Sequence, residues 1–183
     1  MIIAIHIAII TLIFGFFGKP WVDAEINRRI KNEIDKVRDQ TLASVQATTG
    51  YIFGELAKFH PGLHVIAANY SREAYNALDD EHPHKISAIN NFVFFSSQVG
   101  KTDVALDCVR FAQELRVAYG RGMMPDFATT YAAAVIVYSD YFPDSRGAID
   151  DAMKLMQELI DSEHTSRKIV DQASDRLVKL RGL

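Results

Sequence analysis

Slid against itself by 43 residues, the chain overlies a second stretch of its own sequence, and no other feature narrows its fold as far. Phe92-Val93-Phe94-Phe95-Ser96 falls over Val135-Ile136-Val137-Tyr138-Ser139, and Val99 falls over Phe142. Thr102 falls over Ser145, and Ala105-Leu106-Asp107 over Ala148-Ile149-Asp150. One residue of drift later, Phe111-Ala112-Gln113-Glu114-Leu115 falls over Leu155-Met156-Gln157-Glu158-Leu159. The copies read as two consecutive helical hairpins. Such a unit leaves an apolar face uncovered and is stabilised by stacking on its neighbour.

The surrounding chain supports an all-α body. Helix-spaced apolar runs fall at 63–78, 86–98, 103–119, 126–141, 145–161 and 166–180, with Gly100, Gly120, Gly122, Pro125 and Pro143 between them. Phe92 to Phe95 and Val135 to Tyr138 are also strand-like in composition, because periodicity does not separate short apolar runs. Thr102 and Ser145 stand where a second helix is expected to be N-capped. Ala105 and Ala148 follow, small enough for two helices to approach closely. An apolar first helix, Gly100 in the turn, and Ala105 and Ala112 on the second helix resemble the tetratricopeptide-type hairpin over residues 86–161. Ser96 and Ser139 replace that family's first-helix aromatic, its terminal proline is absent, and the spacing is 43 rather than 34. The resemblance implies an architecture and carries no binding residue.

Ahead of this body lies a different solvent problem. Ile2 to Phe17 is a run of 16 residues with no formally charged side chain. No Lys or Arg precedes it and no Ala-x-Ala pattern follows, so a retained anchor is expected rather than a cleaved signal. As a helix it spans about 24 Å of a ~30 Å hydrocarbon core. Met1 and Gly18 extend it, and Trp21 stands where an interfacial aromatic belongs. The alternative is a buried core helix or an interfacial helix, and isoleucines on every face argue against a one-sided amphipathic one. Lys19, Arg28, Arg29, Lys31, Lys36 and Arg38 all follow the run, which predicts an outside N-terminus and a cytoplasmic body.

Between anchor and body, one long helix is expected from Asp23 to about Thr48. Ile26, Ile30, Ile34, Val37, Thr41, Val45, Thr48 and Ile52 recur at steps of 4, 4, 3, 4, 4, 3 and 4. That eleven-residue period gives a nearly straight stripe. Two readings follow: a stalk or homo-oligomeric coiled coil through Ile26, Ile30, Ile34 and Val37, or an amphipathic helix packed on its own domain. Gly50 and Gly54 are expected to loosen the helix before Phe59-His60-Pro61-Gly62 ends it.

Charge and composition remove several functions. A net charge of -3 and a pI of about 6.1 do not favour nucleic-acid binding. One cysteine excludes a disulfide scaffold. Residues 144–163 are acidic and 166–183 basic, as mutually neighbouring helices would be. Gly100-Lys101-Thr102 looks like the end of a phosphate-binding loop, with Asp140 as an imitation of its distal aspartate. The cradle needs a glycine five residues before Gly100, where Phe95 stands. His82 and His84, beside Asp79, Asp80 and Glu81, are the candidate metal ligands, and exposed loop histidines are the simpler reading. His60 and His64 lie at the other end of the intervening helix, too far away for one shared ion. Cys108 shares a face with Ala105, Ala112 and Leu115 and reads as a buried small hydrophobe. Tyr131, Tyr138, Tyr141 and Phe142 read as core and turn aromatics, an exposed subset of which would form a peptide groove.

The resulting expectation has three parts: a transmembrane anchor at 1–20, an amphipathic stalk at 21–59 and a helical-hairpin domain at 60–183. The expected role is a membrane-anchored adaptor, scaffold or accessory subunit that binds a protein partner. It is expected to need no cofactor, catalyse no reaction and bind no nucleic acid. The alternatives are a nucleotide-responsive regulator or enzyme using Gly100, Lys101 and Thr102, and a purely structural subunit of a larger complex.

Overall fold

The computed structural model describes residues 19–122 and 124–183, with side chains from Asp23 onward. The apolar run 2–17 and its expected anchor lie outside the described residues. Among the described residues no helix is long and apolar enough to cross a membrane.

All regular structure among the described residues is helical. The helices are α1 (Lys19–Leu56), α2 (Leu63–Ala77), α3 (Lys85–Val99), α4 (Ala105–Gly120), α5 (Pro125–Tyr138), α6 (Ser145–Asp161) and α7 (Arg167–Leu180). Single 3-10 turns at Thr102–Val104 and Ser139–Tyr141 lead out of α3 and α5. Phe92–Phe95 and Val135–Tyr138 are therefore helical, and their strand-like composition reflects burial rather than pairing. The chain divides into two compact units, Met1–Leu42 and Ala43–Leu183.

In the first unit, the described part of α1 is a charged helix with its large aliphatics in solvent. Glu25 pairs with Arg28 and Arg29, and Arg38 pairs with Asp35 and Asp39. Ile26 is 48% exposed and Val37 63%, with Ile30 and Ile34 between them in that range. The stripe thus faces solvent within this unit.

In the second unit, the end of α1 buries the opposite face. Ala43, Gly50, Gly54 and Ala57 are buried and Ala47 is half-buried, whereas Val45 and Ile52 are exposed. At 3.6 residues per turn the small residues share one face and the large aliphatics the other. The helix runs through Gly50 and Gly54 instead of loosening there, because those glycines are the contact. A Cβ on Gly50 would lie 2.7 Å from Ser71 Oγ and 3.1 Å from the Ala67 carbonyl oxygen of α2. The Phe53 and Tyr70 rings stack beside this crossing at 5.8 Å.

From α2 onward consecutive helices pack on one another, and α3 also touches α5, as α5 touches α7. Between them lies a core built on Phe92, Phe111, Leu115, Val135, Tyr138, Met156 and Leu180. Phe111 receives Phe92 edge-on at 5.6 Å and Tyr75 at 4.6 Å. Each large core side chain stabilises the fold by roughly 1.5–3 kcal/mol relative to exposure. Ala105 and Ala112 are fully buried on α4 and Ala148 is nearly so on α6, as the repeat requires of them.

The caps fall elsewhere than the sequence suggested. Asp144, not Ser145, caps α6, its Oδ1 accepting from the Gly147 amide at 2.8 Å. Thr102 opens a 3-10 turn and makes no capping bond. A carboxylate is the stronger acceptor for an orphan amide, and Asp144 is one residue nearer the turn. The acidic α6 and basic α7 do pack together. Their ion pairs run within each helix, apart from Asp151 of α6, which is held by Arg116 of α4.

Candidate ligand groove

Because α5 touches both α3 and α7, the three helices present a common surface, and two adjoining hollows open along it. One, of about 530 Å³, is lined by Phe94, Ser97 and Gln98 of α3, Ile136 and Val137 of α5, and Gln172, Arg176 and Lys179 of α7. The other, of about 450 Å³, shares Phe94, Gln98 and Gln172 and continues past Asn90, Asn91 and Thr130 to Tyr51, Glu55 and Lys58. The result is a mixed groove in which Phe94, Ile136 and Val137 lie among amides, with Asp171, Asp175 and Asp126 lining it beside Arg176, Lys179 and Lys168. That combination suits an extended peptide, whose backbone needs donors and acceptors and whose side chains need apolar contact.

Two polar groups here are unsatisfied. Asn90 Oδ1 is buried without a hydrogen-bond partner among the described residues. Arg176 is half-buried and forms no ion pair or hydrogen bond among the described residues. Burial pushes its guanidinium pKa down, and the charges of Asp175 and Asp126, which line these hollows, oppose that. A partly desolvated guanidinium with no carboxylate in direct contact carries a cost that an incoming anionic group relieves. Neither residue belonged to a sequence motif. The available signal was only that Arg176 interrupts the apolar spacing of Ile169, Ala173, Leu177 and Leu180.

A larger hollow, about 910 Å³, lies beside Tyr75, His82, Lys85, Ile89, Arg110 and Arg121. Its cations are mostly occupied. Lys85 Nζ donates to the Leu78 carbonyl at 2.6 Å, pairs with Asp80 and lies over the Tyr75 ring. Arg110 pairs with Asp107 and covers Phe111.

Gly100-Lys101-Thr102 does not have the strand-loop-helix setting of a phosphate loop. Gly100 is the left-handed C-cap of α3, at φ 67°, its amide donating to the Ser96 carbonyl. Lys101 is extended and Thr102 begins the 3-10 turn. Asp140 lies in the other 3-10 turn, Ser139–Tyr141.

His82 and His84 are neighbours, with ring centroids 5.4 Å apart. His82 Nδ1 accepts from the His84 amide, and its Nε2 faces Ser44 Oγ at 3.4 Å. Among the described residues no three His, Cys, Asp or Glu side chains are grouped to hold a metal ion. His64 is turned to the Pro61 carbonyl and the Phe95 ring.

Cys108 is buried, and burial pushes its thiol up to about 11, against the lowering influence of Ser96 and Tyr138. A thiol held protonated is no nucleophile at neutral pH. Tyr138 donates its hydroxyl to the Ser96 carbonyl at 2.9 Å inside the core. Tyr131, Tyr138 and Phe142 are all buried and only Tyr141 is exposed, so these aromatics do not make the groove.

No known protein family matches the chain, and neither a curated protein nor a solved structure resembles it.

Proposed function

We propose that this protein is a membrane-anchored adaptor whose helical body binds an extended, acidic segment of a protein partner. The observation that carries this is Arg176, a half-buried guanidinium that makes no ion pair or hydrogen bond among the described residues, in a groove lined by Phe94, Ile136 and Val137. In this reading the apolar residues take alternate side chains and Asn90, Gln98 and Gln172 take backbone groups. A carboxylate docks on Arg176 in a bidentate fork. The body is a tetratricopeptide-like stack, with α3/α4 and α5/α6 as the duplicated hairpins and α7 as the cap. The contacts of α3 with α5 and of α5 with α7 support that reading.

Residues 2–17 supply the anchor, on the strength of their sequence. Confining the body to the membrane plane raises the effective concentration of a membrane-bound partner. The orientation follows the flanking bases, with the body cytoplasmic.

Proximity labelling of the full-length protein, then pull-down after detergent extraction, names the partner. Peptides tiling that partner are then titrated against the protein by fluorescence anisotropy. An acidic peptide should bind, and Arg176→Gln should weaken it at least tenfold. Binding that is indifferent to Arg176→Gln, or confined to neutral peptides, sinks the reading of the groove. The anchor reading fails if the full-length protein stays in the supernatant after high-speed centrifugation without detergent.

A further inference from the structure

A serine buried within a helix ordinarily turns its hydroxyl back to the carbonyl four residues earlier. Ser97 does so, donating to the Val93 carbonyl at 2.8 Å. Ser96, beside it on α3, does not. It is 2% exposed, and its Oγ has no hydrogen-bond partner among the described residues. Its carbonyl, by contrast, is used twice, accepting from the Gly100 amide and the Tyr138 hydroxyl, each at 2.9 Å.

A small cavity of about 40 Å³ adjoins this serine, between α2, α3 and the 3-10 turn Thr102–Val104. Ala68 and Phe92 wall it on the buried side, and Asn69, Lys101 and Asp103 bring polar groups to its rim. It shares no residue with the groove, whose hollows are about ten times larger. Size and lining together select the occupant. Small-molecule sites run to roughly 300–1,000 Å³, far beyond this space. A water needs only about 10–15 Å³ to enter and claims about 30 Å³ in the liquid. Apolar cavities stay dry, but this one has hydrogen-bonding side chains from α2, α3 and the turn.

We propose that the cavity is the site of one structural water, which accepts from the Ser96 hydroxyl and donates to the Asp103 carboxylate. The bridge fastens the turn to α3. It ties down the first duplicated segment where the second has the Asp144 cap, since Thr102 makes no capping bond. The site is separate from the groove and stands whether or not the groove binds a peptide.

A crystal structure of the full-length protein in detergent, at a resolution that shows ordered waters, tests this directly. A water should lie within about 3 Å of Ser96 Oγ and of an Asp103 carboxylate oxygen. Ser96→Ala should lower Tm, read by circular dichroism, because the water loses a partner. A hydroxyl with nothing bound to it predicts the reverse, since removing an unpaired buried group raises Tm. Asp103→Ala should also lower Tm, and the double variant should lose less than the sum of the two. Ser96 Oγ bonds no side chain directly, so that coupling reports the molecule between them. A dry cavity overturns the inference. So does a Tm unchanged or raised by Ser96→Ala, or additive losses in the double variant.

Discussion

The ring of Phe95 occupies the space that a Cβ on Gly54 would fill. The contact joins the end of α1 to α3 at a separation that only glycine permits. Two effects oppose each other in Gly54→Ala. Helix propensity favours alanine by about 1 kcal/mol. Overpacking against a buried ring costs about 1–3 kcal/mol. Phe95 is buried and has little room to move, so packing should win. Thermal denaturation should show a lower Tm for Gly54→Ala, by a few degrees, and a larger drop for Gly54→Val. An unchanged or higher Tm would mean that α1 does not approach α3 this closely.

Arg116 and Asp151 form another tie between elements distant in sequence. The guanidinium Nε and Nη2 donate to the two carboxylate oxygens at 2.6 and 2.9 Å. This links α4 to α6, the second helices of the two duplicated segments. Each side chain is about a third exposed, so solvent screens the pair. A double-mutant cycle with Arg116→Met and Asp151→Asn should give a coupling of about 1 kcal/mol. Added salt should shrink it. A coupling indistinguishable from zero would reduce the pair to a surface contact.

The all-helical class was legible because each apolar run is long, helix-spaced and closed by Gly or Pro. Boundaries came within a few residues for the same reason. The α1 packing face was misread because it consists of Ala43, Ala47, Gly50, Gly54 and Ala57. Small side chains carry little hydropathy, although close helix approach depends on them. The larger stripe at Val45 and Ile52 drew attention and turned out to face solvent. Arg176 and Asn90 were illegible for another reason. An unpaired polar group is defined by which elements converge on it, and single-helix periodicity does not report that.

The cap of α6 is a sharp test of how the duplicated segments differ. Asp144 accepts from the Gly147 amide, whereas Lys101 and Thr102, at the equivalent turn, make no such bond. Asp144→Ala should therefore cost about 1 kcal/mol, read as a lower urea midpoint. Thr102→Ala and Ser145→Ala should each change stability by less than about 0.5 kcal/mol. If Ser145→Ala cost as much as Asp144→Ala, the cap would belong to the serine.

Burial of Cys108 should appear as alkaline instability. Its folded thiol titrates at about 11, above the ordinary value of 9.0, chiefly because burial penalises the thiolate. The unfolded chain therefore loses the proton first. Stability from this group is full below pH 9 and falls as pH rises through 9 to 11. The loss is at most about 2–3 kcal/mol. Urea midpoints should fall across that window, and Cys108→Ala should remove part of the slope. The buried Tyr131 hydroxyl, pushed up to about 12 by burial, leaves a residual slope higher up. Thiol reagents at pH 8 should label the unfolded chain and spare the folded one. Rapid labelling under native conditions would contradict the burial.

Arg176 should separate stability from binding. Its guanidinium is partly desolvated and makes no direct ion pair among the described residues, and burial outweighs the charges of Asp175 and Asp126, so the folded state carries a cost that the unfolded chain does not. Methionine keeps much of the side-chain volume, removes the charge and can lie along Phe94 and Ile136. Arg176→Met should then leave Tm unchanged or raise it, by up to about 1 kcal/mol of stability, while weakening an acidic peptide at least tenfold. The two readouts discriminate. A merely structural arginine would lose stability on replacement, through lost packing of its aliphatic stem. A binding arginine loses affinity while the fold holds or gains. Differential scanning calorimetry and anisotropy on the same preparation decide it, and a lower Tm with unchanged affinity would assign Arg176 to the fold alone.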